Sequence, residues 1–341
     1  MEYNSENGVA KAWPNQKRQG ATARGMILIT GGLGFIGSHV AAALLDAGES
    51  VVLLQRRIDR TPNFLSGELG KRLFVVAADL ADAEALQATV KKYGIDGIVH
   101  LAAPPLAVEA IGLEFQSNLN GLTGILETAR ACAIKRVTIA SSIAVYRGLS
   151  RGPFVEAALL PAGATFGVEA FKKVFETLGD YYALRTGLDV VCLRISSVYG
   201  PLYRSLTNMP SRIVHAAIRG VVGPLPHGSS PRTYANAAGD FLYVKDCALG
   251  ICRTQLAPRL GRRIYNLGAG YATSASTLCA AVRRVIPNAE FSLDPGSGPN
   301  ERADAFEDIS LIAAETGFVP RYTVDDAIAE YVGWLKEGNP F

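Results

Sequence analysis

Histidine and cysteine are scarce: the 341 residues hold four of the first and five of the second. His39, His100, His215 and His227 lie far apart, and Cys132, Cys192, Cys247, Cys252 and Cys279 stand singly in apolar or helical contexts. No C-x-x-C pair and no Cys/His cluster is present, so the pattern offers no metal spacing, and the cysteines read as buried reduced thiols. Charge of one sign is scarce too. A net charge of +3 is too mild to make nucleic acid or an anionic membrane the default partner. No apolar run is long enough to span a bilayer. Residues 1–25 are polar and lack the apolar centre of a signal peptide, and they read as a disordered lead-in. The expectation is a soluble cytoplasmic protein with a small-molecule partner.

What is present begins at Met26. The stretch MILITGGLGFIG places Gly31, Gly34 and Gly37 between a short apolar strand and the alanine-rich run from Phe35 to Ala47. A strand entering a helix through such a turn lets the backbone approach a pyrophosphate and aims free helix N–H groups at its charge. The chain then alternates. Ser50–Gln55, Leu73–Leu80, Gly97–Ala103, Arg136–Ser142 and Asp189–Ile195 read as strands, while Asp82–Tyr93, Ala107–Ala133 and Thr165–Arg185 read as helices. Alternation of this kind implies parallel pairing with right-handed crossovers, an α/β fold of the Rossmann type with a doubly wound sheet. Beyond Pro201 the pattern loosens. Gly220–Gly239 is rich in Gly, Pro and Ser, strand character resumes at Phe241–Asp246 and Ile264–Gly268, and helical segments follow near Thr277–Val285 and Val324–Leu335. The dinucleotide domain is thus expected over 26–199 plus the strands near 240–268, with a smaller C-terminal substrate lobe from 200–239 and 269–341.

At the end of the second strand a carboxylate would accept from the ribose 2′-hydroxyl of NAD. This chain has Gln55, followed by Arg56, Arg57 and, a little further on, Arg60. A guanidinium fork suits a 2′-phosphate, so the local chemistry favours NADP over NAD. Asp79 stands where the adenine amino group needs an acceptor, and small residues at Ala102 and Ala103 leave room for the cofactor across the sheet edge. His100, inside an apolar strand, reads as a packed core histidine.

Jointly, TGGLGFIG (30–37), ADL (78–80), HLAA (100–103), SSIAVY (141–146), LRISSVYGP (193–201) and FLYVKD (241–246) resemble the extended short-chain dehydrogenase/reductase family, the NAD(P)-dependent epimerases and dehydratases. The resemblance runs from Met26 onward. It implies dinucleotide contacts from Gly31, Gly34, Phe35, Ile36, Gly37, Gln55, Arg56, Arg57, Asp79, Leu80, Leu101, Ala102, Ala103, Asn118, Ser141 and Lys172. It implies further that Ser142 bonds a substrate oxygen, and that a homodimer forms through the helices of 107–133 and 165–185, burying Phe171, Phe175 or their apolar neighbours.

The family's Tyr-x-x-x-Lys pair is not intact. The stretch is TFGVEAFKKVFE, and counting back from GLDVV puts the lysine at Lys172, with Val168 at the tyrosine position and Glu176 one turn on. Two other registers remain open, Phe166 with Ala170 and Glu169 with Lys173. A proton donor would then be Glu169, Tyr146, a water held by Ser142 and Lys172, or a group on the substrate; a surface glutamate favouring the helix dipole is the simpler reading of Glu169. The arginine that sugar-nucleotide enzymes carry before the aspartate of GDFLYV is Gly239 here, and only Arg302-Ala303-Asp304 stands near the family's second arginine, with Arg232 as a substitute. The expected activity is redox, epimerisation or elimination on a small polyhydroxylated or carbonyl metabolite. A non-redox lyase or isomerase and a non-catalytic NADP(H) sensor are the alternatives.

Overall fold

In the computed structural model, which describes residues 25–58, 61–103, 111–221, 232–299 and 301–339, seven parallel strands form one sheet. Most of the lead-in, Arg60 and His227 lie outside the described residues. The strands are β1 (Met26–Thr30), β2 (Ser50–Gln55), β3 (Leu73–Ala77), β4 (Gly97–His100), β5 (Arg136–Ala140), β6 (Val190–Ile195) and, after three short strands, β10 (Ile264–Leu267). Their order is β10-β6-β5-β4-β1-β2-β3, so β1 sits between β4 and β2 and the winding reverses beside it. Ligands of open α/β sheets bind at such a reversal, outside the carboxyl ends of the strands.

Side-chain alternation covers both faces. Ile27, Ile29, Val51, Leu53, Val99, Val191 and Leu193 enter one apolar cluster, while Leu28, Val52, Leu54, Ile98, Val190 and Cys192 enter the other. Helices α2 (Ala83–Tyr93), α3 (Ile111–Ala131) and α4 (Gly167–Thr186) cover the second face. Local chemistry sets their ends: the Asp82 side chain caps α2 by accepting from Ala85 N, and Gly94 leaves it in the left-handed conformation at φ 62°. Phe171 and Phe175 are buried in the cluster on this face, Phe171 beside the Phe115 ring and Phe175 beside the His100 ring, and are not available to a partner. That corrects the expectation that they line a dimer contact. Their spacing marks an inward stripe, and the inward stripe of a sheet-packed helix belongs to its own core.

The first face is covered by α1 (Phe35–Asp46) and, next to it, α6 (Val244–Leu256). Between β6 and β10 the chain also forms β7 (Ser197–Tyr199), α5 (Met209–Ile218), β8 (Ala238–Gly239) and β9 (Phe241–Tyr243). After β10 come β11 (Thr273–Ser274), α7 (Ala275–Val285), α8 (Ser310–Thr316) and α9 (Val324–Lys336). β7 pairs with β9 and β8 with β11, while α5, α7 and α9 pack on one another. FLYVKD is therefore a three-residue strand that turns directly into α6, not a six-residue strand. The five cysteines are free, four of them buried and Cys132 half-buried. No helix of the described residues is long and apolar enough to cross a membrane.

Candidate active site

The glycines of the first turn work by what they leave out. Gly31 holds φ 67°, and a Cβ there would stand 3.1 Å from both N and Cα of Ala102; at Gly34 a Cβ would stand 3.0 Å from the Gly31 carbonyl oxygen. The turn is closed by Gly34 N donating to Gly31 O at 2.9 Å. Helix α1 starts there with no side-chain cap and no acidic residue in its first turn. Its leading N–H groups and dipole are accordingly left for an anion.

A cleft of about 850 Å³ opens over this turn. Gly31, Gly34, Gln55, Arg56, Arg57, Asp79, Leu80, Leu101, Ala102, Ala103 and Asn118 all line it, as do Gln116, His100 and Phe175. Most of the expected contacts thus come together. Phe35, Ile36 and Gly37, also expected to contact the dinucleotide, form the first turn of α1 and are not among the residues that line the cleft. Arg56 and Arg57 are exposed at its mouth, beside Gln55 and with no carboxylate at the end of β2. Asp79 accepts from Ala81 N at 2.9 Å, which holds its carboxylate in a turn at the cleft wall. Asn118 is buried in α3 and donates to Glu114 O.

At the far end the three registers of α4 separate. Lys172 donates to Ala140 O at 2.6 Å, at the carboxyl end of β5, and lies 4.9 Å over the Phe175 ring that lines the cleft. Burial lowers its ammonium to about 8. Lys173, by contrast, points to the loop before α4, donating to Pro161 O, Gly163 O and Glu169 Oε1. Glu169 is 2 % exposed, not a surface residue; it reaches back to Thr165 N and Oγ1 and fastens the start of the helix. Burial pushes its carboxyl up, but the bonds from Lys173 and Thr165 outweigh this and hold it below the usual range. Phe166 caps α4 from an exposed position. Only the Lys172 register faces the sheet end, which puts Val168 one turn ahead of it.

Tyr146 does not supply the missing phenol. It is fully buried, donates to Asn266 Oδ1 at 2.7 Å, accepts from Arg194 and stacks on Phe154 at 4.9 Å. Burial pushes its phenol above the ordinary value. Ser141 is equally committed: its Oγ donates at 2.5 Å to Glu176, which forms a buried ion pair with Arg194 at 2.8 Å. It supports the site from behind and does not line the cleft. Ser142 accepts from Ala144 N at 3.1 Å as the cap of a short helical turn, and its own hydrogen has no acceptor among the described residues. Ser141, Tyr146 and Glu176 stand at motif positions, but the Ser141–Glu176–Arg194–Tyr146–Asn266 chain that links them escapes sequence reading because its members come from four distant segments.

The profile of the NAD dependent epimerase/dehydratase family matches residues 27–268. The chain belongs to this family. It is 26% identical over 329 residues to a UDP-glucose 4-epimerase of Yersinia enterocolitica, covering 91% of this chain and 97% of that one. A dTDP-glucose 4,6-dehydratase of Actinoplanes is 27% identical over 326 residues, with 91% and 97% covered. Among solved structures, the UDP-glucose 4-epimerase of Brucella ovis in complex with NAD superposes with a TM-score of 0.76 at 23% identity, covering 91% and 98%. The fold, the enzyme class and the nicotinamide cofactor class of this family follow for the chain.

Proposed function

We propose that this family member binds NADP in preference to NAD and acts on a small polyhydroxylated or carbonyl metabolite. The observation that carries the reading is one cleft joining the uncapped start of α1, the Gln55–Arg56–Arg57 corner and Phe175, over whose ring the Lys172 ammonium lies just outside the lining. The pyrophosphate lies on Gly34–Gly37, the adenosine between Gln55 and Leu80, and the nicotinamide ribose near Lys172. When bound, the nicotinamide accepts or supplies hydride. Ser142 offers its hydrogen to a substrate oxygen, and Lys172 holds the ribose. Val168 can neither donate nor accept a proton, so the proton comes from the ammonium, an ordered water or the substrate.

The Brucella ovis enzyme was solved with NAD, but the two arginines here argue for the phosphorylated cofactor, since a carboxylate would repel the 2′-phosphate that a guanidinium holds. A substrate without a diphosphate fits the arginines best. Gly239 has no side chain to offer, Arg302 lies over the Phe154 ring and donates to Tyr146 O, and Arg232 pairs with Asp294 at 3.3 Å.

Calorimetric titration tests this. A charged contact contributes about 1.5–3 kcal/mol, so NADPH binds at least tenfold more tightly than NADH. Added UDP-glucose produces no further heat. Equal affinities, or tighter NADH, would contradict the cofactor preference; micromolar UDP-glucose binding would contradict the substrate class.

A further inference from the structure

β4 ends in His100, a residue 3 % exposed that nevertheless lines the cleft beside Phe175, with ring centroids 6.2 Å apart. Its Nδ1 lies 2.8 Å from Thr30 Oγ1, across the β1–β4 register that pairs the two residues. The same hydroxyl is 3.2 Å from the backbone nitrogens of both Leu101 and Ala102. A threonine hydroxyl has one hydrogen and two lone pairs, whereas a backbone N–H can only donate. The Ala102 amide, and the Leu101 amide that the hydroxyl shares with the Thr30 carbonyl at 3.3 Å, therefore face the oxygen's lone pairs, and its single hydrogen goes to Nδ1. Burial, with the nearby Lys172 ammonium, lowers the ring to about 3, so the imidazole is neutral at physiological pH. A neutral ring that accepts at Nδ1 carries its hydrogen on Nε2. Among the described residues no acceptor meets that hydrogen.

We infer that His100 presents a neutral Nε2–H donor to an oxygen of the dinucleotide in the cleft, and that Thr30 is the positioning residue that fixes this tautomer. This rests on the dinucleotide reading above. A neutral donor suits the place: an imidazolium beside Lys172 would put two cations side by side, while a neutral N–H contributes a directed bond without that repulsion. Thr30 also ties the β4 carboxyl end to β1 through Leu101 and Ala102, so the same hydroxyl that orients the ring sets the floor of the cleft.

Nitrogen-15 NMR of labelled histidine distinguishes the tautomers directly. The unliganded protein shows His100 with protonated Nε2 and unprotonated Nδ1 through the range from pH 5 to 8, and saturating NADPH shifts Nε2 while leaving Nδ1 in place. Thr30→Val populates the Nδ1–H form and weakens NADPH roughly two- to tenfold, the range of one neutral hydrogen bond, whereas Thr30→Ser restores both properties. His100→Phe weakens NADPH by the same factor in a protein whose circular dichroism is unchanged. A protonated Nδ1 in the wild type, or an Nε2 signal that saturating NADPH does not move, overturns the inference. Absence of any NADPH binding to the wild type overturns the dinucleotide reading instead.

Discussion

Glu307 carries a carboxyl group into a site where it is fully buried and neither oxygen has a hydrogen-bond partner among the described residues. Burial, together with the neighbouring Asp240 carboxylate, pushes its pKa well above the ordinary value, and burial raises Asp240 to about 6 although Ala269 N and Glu307 N donate to it. Both groups bind protons more tightly in the folded chain than in the unfolded one. Stability therefore falls as pH rises from the unfolded carboxylate range near 4.5 through the folded values. Glu307→Gln removes one of these protons from the linkage while keeping the shape. Urea denaturation checks this: the variant gains on the wild type between pH 5 and pH 8, because Asp240 costs both proteins stability over that interval while only the wild type also gives up the Glu307 contribution. A variant whose deficit grows with pH would contradict a protonated Glu307. The signal for this pair is weak in the sequence, since Asp240 and Glu307 stand 67 residues apart and only the fold sets them together.

At the scale of elements, the register of α4 decides which lysine serves the site. Lys172→Ala removes the ammonium from the carboxyl end of β5 and weakens NADPH binding measured by calorimetry, with a small effect on folding. Lys173→Ala strands the buried Glu169 carboxylate, and losing one partner of such a pair costs about 3–5 kcal/mol of folding stability, with NADPH affinity unchanged. The reverse pattern would move the site to the Glu169–Lys173 register. Elements with local punctuation are legible from sequence: β2 begins and ends where expected, and α2 and α7 start within two residues of their expected positions. Helices α5 and α6 are not. α6 leaves β9 without a glycine or proline between them, and ten of its thirteen residues are buried, which blurs the one-sided apolar period that marks a helix. α5 does carry a signal, Asn208 capping Ser211 N with a proline in the first turn, and closer attention to capping finds it. The glycine turn and the Arg56–Arg57 corner are legible because backbone geometry at a strand end needs no distant partner. Ser141, Glu176 and Tyr146 are legible as motif positions, but their roles come from Arg194 and Asn266, which only tertiary packing brings close.

At the scale of the whole molecule, the sheet order places the carboxyl ends that line the cleft, those of β1, β2 and β4, beside the reversal at β1, and the turn after β3 delivers Asp79; Ser142, just past the end of β5, stands outside the lining. The outer faces of α3 and α4 carry exposed apolar side chains. With Phe171 and Phe175 committed to the core, the apolar surface left there is Ile111, Leu113 and Phe115 on α3 and Leu178, Tyr181 and Leu184 on α4. We propose that these faces pair about a two-fold axis into a homodimer; light scattering at micromolar concentration is then expected to return twice the chain mass, and Leu184→Glu to lower it to one chain. A monomer in the unmodified protein would contradict that assembly. The most direct test of the account as a whole is a crystal structure of the protein grown with NADPH. It predicts the pyrophosphate against the Gly34–Gly37 amides, the 2′-phosphate between Arg56 and Arg57, and the nicotinamide ribose within hydrogen-bond reach of Lys172. A dinucleotide bound elsewhere, or one running through the cleft in the opposite direction, would contradict it.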